Sequence, residues 1–255
     1  MILKWIRLFI GIALIANSSC FAMYAGNAVS PDMPEDGLFS RTNSNTVYHL
    51  SYTYDHTLDR TIKFLPPLET TWIQASSTSL RKNGANIGIS FGNQLELFGS
   101  LGSLNFSSSP IIDYFDLYKK KEDNLYFGGG ANVILVFFRQ CTMGISAKYH
   151  ASSQSLYQKE DDLEFKGMLQ NWQLSFTLGR EFIWINPYVG FAFDSLKCHF
   201  YNAQASNLAK ISLEEFNPWV CVLGIGLVKN KLGYLNVEGR LIGEMAFALR
   251  ASLSF

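Results

Sequence analysis

The sequence predicts an all-β protein, a transmembrane antiparallel β-barrel of the outer-membrane type with about 12 strands. Three observations carry that prediction: a secretory leader ahead of a charge-poor, aromatic-rich chain, a series of alternating stretches near spanning length, and connections that switch between short and long. Charged residues make up 16% of the 255-residue chain and aromatic residues 15%. Soluble domains carry roughly 25% charged residues. Lys plus Arg and Asp plus Glu balance at 21 each, so no excess charge points to nucleic acid.

Residues 1–22, MILKWIRLFIGIALIANSSCFA, read as a signal peptide. Lys4 and Arg7 precede an apolar run from Leu8 to Ala16, and small residues lead to a cut after Ala22. The rival is a retained anchor, for which the run is short of the roughly 20 residues a helix needs to span. Lipid attachment at Cys20 is disfavoured by Asn17, which stands where such a cleavage site wants an aliphatic side chain. Cleavage removes two positive charges. Residues 23–44 form a periplasmic N-terminal segment and residues 45–255 the barrel.

Beyond the leader, a soluble β-sandwich and a membrane barrel both fit the composition. Spanning strands need about 9 to 11 residues with alternating faces. Strands are expected at 45–54, 57–64, 69–76, 84–92, 94–106, 124–138, 141–151, 165–179, 186–200, 218–228, 231–240 and 245–255. Short connections fall at 64–67, 92–93, 138–140, 181–186 and 228–231, and long polar ones at 77–84, 107–124, 152–162 and 201–215. Barrels keep turns short on the periplasmic side and loops long outside, with both termini periplasmic. Twelve strands satisfy that parity, which a sandwich has no reason to produce. The first hairpin, at Asp55-His56, and LIGE at 241–244 are the weak joints, both short where an outer loop is needed.

Alternation within the strands assigns faces. In QLELFGSLGSLNF, Leu95, Leu97, Gly99 and Leu101 face lipid and Glu96, Ser100 and Gly102 face inward, with Phe98 and Leu104 breaking the pattern. Strand 165–179 changes phase near Trp172, which a bulge would explain. A charge facing lipid near the midplane costs about 2 to 4 kcal/mol. Glu96, Lys148, Glu238, Arg240 and Arg250 are therefore read as lumen-lining, and a one-residue register slip would reverse any of them. Trp72, Trp172, Trp184, Tyr188, Trp219 and Tyr234 are candidates for interfacial aromatic belts.

Nothing demands an enzyme or a cofactor. The four histidines are scattered without metal-ligand spacing. FGGGAN at 127–132 lacks the lysine and following helix of a phosphate loop, and reads as a strand against which something packs closely. YKKKED at 118–123 reads as a solvated loop.

Several stretches resemble the chlamydial major outer membrane protein family. In YAGNAVSPDMPEDGLF, the residues Gly26, Asn27, Pro31, Pro34, Asp36, Gly37 and Leu38 match the start of its mature chains. YTYDHTLDRTIKF, with Asp59, Arg60 and Lys63, resembles its first strand pair, and INPYVGFAF resembles its Pro-Tyr-aliphatic-Gly strand. EGRLIGEMAFALRASLSF, with Arg240, Leu241, Ile242 and Glu244, resembles its terminal hairpin. The matches cover about a third of the chain. The resemblance implies an outer-membrane porin of an obligate intracellular bacterium that passes small hydrophilic solutes or ions, and it admits a homo-oligomer such as a trimer. The chain is shorter than the family's usual members, so fewer strands and abbreviated loops are expected.

The family is known for disulfide cross-linking. Here only Cys141, Cys198 and Cys221 follow the leader, an odd number that leaves at least one thiol free or in an intermolecular bond. A Cys198–Cys221 pair stays open, since their strands are expected to be neighbours. Phe255 resembles the terminal aromatic signal read by the outer-membrane assembly machinery, so that machinery and outer-membrane lipid are the expected partners. Passive diffusion is the leading function. A non-conducting structural or adhesion barrel is the alternative, and inward Phe98, Leu104 and Phe106 would favour it.

Overall fold

The structure is a computed structural model that describes residues 46–66, 71–75, 78–91, 94–118, 124–138, 140–158, 164–182, 184–202, 210–229 and 233–254. The leader at 1–22, the segment at 23–44 and Phe255 lie outside the described residues.

Ten strands close a barrel, each antiparallel to its neighbours. They are β1 (Thr46–Asp59), β4 (Thr78–Phe91), β5 (Leu95–Ser108), β7 (Asn124–Phe138), β8 (Cys141–Gln158), β9 (Glu164–Arg180), β10 (Ile185–Asn202), β12 (Trp219–Lys229), β13 (Gly233–Leu241) and β14 (Met245–Ser254). The circuit closes where β14 pairs with β1, from His49↔Ser254 to Asp59↔Met245. Closure leaves no open edge among these strands, the condition for a sheet in lipid.

The number is ten rather than twelve because two stretches near the N-terminus form no wall strand of their own. Asp55-His56 is no turn: β1 runs straight through it, pairing Asp55 with Ala248 on one side and Lys82 on the other. Residues 78–84, read as a loop from their polarity, are the outer half of β4. The stretches at 57–64 and 69–76 instead supply the end of β1 and two short strands, β2 (Ile62–Leu65) and β3 (Ile73–Ala75), which pair with each other. Chain parity survives, since an even number of strands was exchanged for another.

The wall changes character with height. Outward side chains on the lower part of the strands are apolar, as in Leu227, Ile225 and Leu223 on β12 or Leu253, Ala251, Leu249 and Phe247 on β14. Tyr149, Trp172, Phe193 and Trp219 lie at the upper edge of that band, with ring centroids 5.2 Å apart for Trp172–Phe193 and for Phe193–Trp219. Higher still, polar side chains join the outward rows of two strands: Lys166 and Gln170 on β9, Lys197 and His199 on β10. The strands β12 to β14, of 11, 9 and 10 residues, barely span. By contrast β8, β9 and β10, of 18, 17 and 18 residues, run well past the membrane.

Inside, polarity inverts at the same height. The inward row of β9 is Asn171, Gln173, Ser175 and Thr177 below, and Phe165 and Leu169 above. No bulge interrupts it, because its register with β8 and β10 is unbroken. The phase change at Trp172 is thus a change of environment on one continuous alternation. The bulges fall instead between Ile134 and Val136 in β7 and between Thr57 and Asp59 in β1.

Above the membrane the barrel holds an apolar core like that of a soluble domain. Loop elements build it: β2, β3, a six-residue helix α1 (Ser109–Tyr114), β6 (Leu117–Tyr118) and β11 (Lys210–Glu215). β11 continues the sheet from β10, and β2 and β3 follow it. Ile62, Phe64, Ile111 and Leu213 from these loops pack with Leu104, Phe106, Leu169 and Phe200 from the wall, all at or below 2% exposure. Phe64 meets Tyr114 and Phe115 edge-on at 5.3 and 5.7 Å. The buried pair Arg60–Glu215 ties the end of β1 to β11. This cap occupies the outer mouth.

Candidate functional site

The interior of the membrane-spanning part is the candidate site, and it is assembled from the period-2 rows of the ten strands. Each of the five charged residues picked from sequence faces inward: Glu96 on β5, Lys148 on β8, Glu238 and Arg240 on β13 and Arg250 on β14. Their environment differs from a wet pore. Glu96, Glu238 and Arg240 are 0% exposed, Lys148 7% and Arg250 8%. Charges around a water-filled channel would stay in contact with water. Here Arg240 contacts Glu238 and Arg250 contacts Glu96, while Lys148 lies over the Phe98 ring.

Two clusters divide the charges. In the upper one, Arg240 makes a bidentate contact with Asp55, one arm being Nη1 to Oδ2 at 3.3 Å. Arg240 Nε stands 2.9 Å from Glu244 and Nη1 3.9 Å from Glu238. The Tyr188 hydroxyl donates to Glu238 at 2.9 Å and accepts from Asn236 Nδ2 at 2.9 Å. In the second cluster, Arg250 donates through Nε to Ser51 Oγ at 3.1 Å and through Nη2 to Glu96 at 3.4 Å. Asn132 Nδ2 donates to the other Glu96 oxygen at 2.7 Å. Below them His49 bridges Ser254 and Ser90, at 3.0 and 2.6 Å, across the closing seam.

Aromatic rings fill much of the remaining section because glycines on the facing strand let them lie flat. A Cβ on Gly224 would come within 2.2 Å of the Tyr188 ring. In the FGGGAN stretch, a Cβ on Gly128 would meet His150 at 2.1 Å and one on Gly130 would meet Phe98 at 2.7 Å. The close packing expected of that stretch is therefore made by His150 and Phe98. Phe98, Leu104 and Phe106 all face inward, Leu104 and Phe106 within the cap core. Between the two charged clusters, Lys82, Ser100, Lys148, His150, Arg250 and their neighbours line a small cavity of about 30 Å³.

Sequence reasoning missed Asp55, Lys82, Glu244 and Tyr188. Asp55 and Lys82 had been given to a turn and a loop, and Glu244 to a hairpin tip. Tyr188, expected in an aromatic belt, is 4% exposed and faces inward, as does Tyr234, which lies against Gly226. Trp72, Trp172, Trp184 and Trp219 are exposed, though Trp72 and Trp184 lie in connections rather than in the wall.

The three cysteines are free thiols. Cys198 is buried in the cap core on the inner row of β10, while Cys221 sits on the outer row of β12. Neighbouring strands do not bring opposite faces together, so the Cys198–Cys221 pair is excluded. Cys141 is exposed at the periplasmic edge. Among the described residues, no three His, Cys, Asp or Glu side chains converge as metal ligands.

No protein family profile matches the sequence, and no curated protein matches it. Solved structures do. The translocator domain of autotransporter NalP from Neisseria meningitidis aligns at 10% identity over 84% of this chain and 88% of its own, with a TM-score of 0.47. The outer membrane protease OmpT from Escherichia coli aligns at 10% identity over 85% and 98%, with a TM-score of 0.43. The Pseudomonas putida toluene transporter TodX aligns at 11% identity over 93% and 99%, with a TM-score of 0.35. On its own geometry, a closed antiparallel circuit of ten strands with apolar side chains on its outer face, this chain is a transmembrane β-barrel of the outer-membrane type. Identities this low leave residue roles to be read from the chain's own geometry.

Proposed function

We propose that the protein is a non-conducting barrel of the bacterial outer membrane, with a structural role and a folded cap presented at the cell surface. The observation that supports this reading is the interior itself. Its charges are shielded from water by one another and by Tyr188, Phe98 and Tyr126, and the outer mouth above them is filled by an apolar core. A diffusion pore needs a continuous wet route past its lining groups, and charge pairs with 0% exposure supply none.

One observation favours a second reading, a porin in its closed state. The cap is built from loop elements rather than from the barrel wall, so its displacement would not break the circuit of strands. Resemblance to the chlamydial porin family points the same way. Planar-bilayer recording on refolded protein separates the two. A silent membrane, with barrel folding shown by heat-modifiable gel mobility, is expected; discrete conductance steps would overturn the proposal and establish the porin.

A further inference from the structure

The small cavity between the two charged clusters has an unusual lining. Lys82, Ser100 and His150 line it, and Lys82 Nζ, Ser100 Oγ and both ring nitrogens of His150 are buried with no hydrogen-bond partner among the described residues. Lys82 is 4% exposed, Ser100 7% and His150 8%. Lys148 and Arg250 also line the cavity. Asp55 borders the cavity too, but both its oxygens take the Arg240 guanidinium. Glu96, the acid nearest Arg250, is held by Arg250 and Asn132.

An ammonium group offers three donors and no acceptor, and a hydroxyl and an imidazole can each turn a donor inward. The occupant that satisfies this lining is an acceptor. Leaving a buried ammonium without one is costly, and the lining itself sets three cationic side chains, Lys82, Lys148 and Arg250, against the single carboxylate of Asp55, which favours an anion over a neutral molecule. The cavity is small, about 30 Å³, and a monatomic anion is the simplest acceptor that fits it.

We propose that this cavity is a halide site, in which one dehydrated chloride ion is held by Lys82, Ser100 and His150 between Lys148 and Arg250. It is a structural counter-ion, enclosed as the barrel closes, and it stands whether or not the barrel ever conducts.

Two measurements test it. Crystals grown in sodium bromide should show a bromide anomalous peak in the cavity beside Lys82; ordered density there with no anomalous signal would assign the site to water and overturn the proposal. In solution, folding in detergent is followed by heat-modifiable gel mobility while chloride replaces gluconate at constant ionic strength. A single site present only in the folded state raises the folded-to-unfolded ratio about tenfold for each tenfold rise in halide above its dissociation constant. Wild-type protein should show that slope, and Lys82→Met should show none. A wild-type ratio indifferent to halide would sink the proposal even if Lys82→Met failed to fold.

Discussion

Arg240 faces three carboxylates, those of Asp55, Glu238 and Glu244, and is fully buried with them. Removing it would leave three acids without their central cation, and breaking a buried pair from one side costs about 3–5 kcal/mol. Arg240→Leu should lower the unfolding free energy of the refolded barrel, measured in urea, by that order, and adding Glu244→Gln should recover part of the loss. If the single variant unfolds like wild type, the cluster is not holding the interior. Glycine supplies a matched comparison. Gly224→Ala places a methyl against the Tyr188 ring and should cost about 1–3 kcal/mol by overpacking, whereas Gly239 faces outward with its nearest neighbour, Leu223 O, 3.9 Å from a Cβ. Gly239→Ala should stay within about 0.5 kcal/mol of wild type. Equal midpoints for the two alanine variants would contradict the flat-ring packing. At this scale the inward charges of β5, β8, β13 and β14 were legible, because a charge has nowhere else to go in a lipid-facing wall. Their partners were not, because Asp55 and Lys82 sit in stretches whose local polarity mimics a turn and a loop.

Elements were legible where one rule governs the whole strand. β14 reads correctly from end to end, since each inward residue from Ala246 to Ser254 is small or polar and each outward one from Met245 to Leu253 is apolar. β9 misled because its inner row serves two environments, a polar lumen below and the apolar cap above. A strand that crosses such a boundary keeps its period-2 geometry and loses its period-2 hydrophobicity, which imitates a bulge. The β13–β14 hairpin was suspect for its shortness, and the structure shows how it manages. Ile242 and Gly243, two of the three residues between β13 and β14, both take positive φ, 59° and 89°, and so turn the chain within a very short connection. Glycine adopts it freely, but isoleucine is strained there, at about 1–2 kcal/mol. Ile242 is also 60% exposed, so little packing is lost on replacing it. Ile242→Asn should therefore raise the unfolding midpoint by the equivalent of about 1 kcal/mol. A lower midpoint would mean that the exposed isoleucine is held by contacts with lipid.

For the whole molecule, the question is which of two closures seals the barrel. The cap fills the mouth with Ile62, Phe64 and Ile111, while the charged clusters fill the membrane-spanning interior below it. If only the cap sealed the barrel, removing it would open a pore. Deletion of residues 61–75, with a short Gly-Ser bridge to residue 78, removes β2 and β3 but leaves all ten wall strands and both charged clusters in place. Cap residues on the wall, such as Leu104 and Phe106, would then meet water, so the variant should be less stable, yet its strand circuit from β1 to β14 is untouched. The expected outcome is a folded, heat-modifiable barrel that still gives no conductance steps, because Arg240 with its three acids and Arg250 with Glu96 continue to occupy the interior. Steps appearing only on deletion would identify the β2–β3 part of the cap as the gate of a porin, and would require the charged clusters to rearrange into a wet lining once Ile62 and Phe64 no longer pack above them.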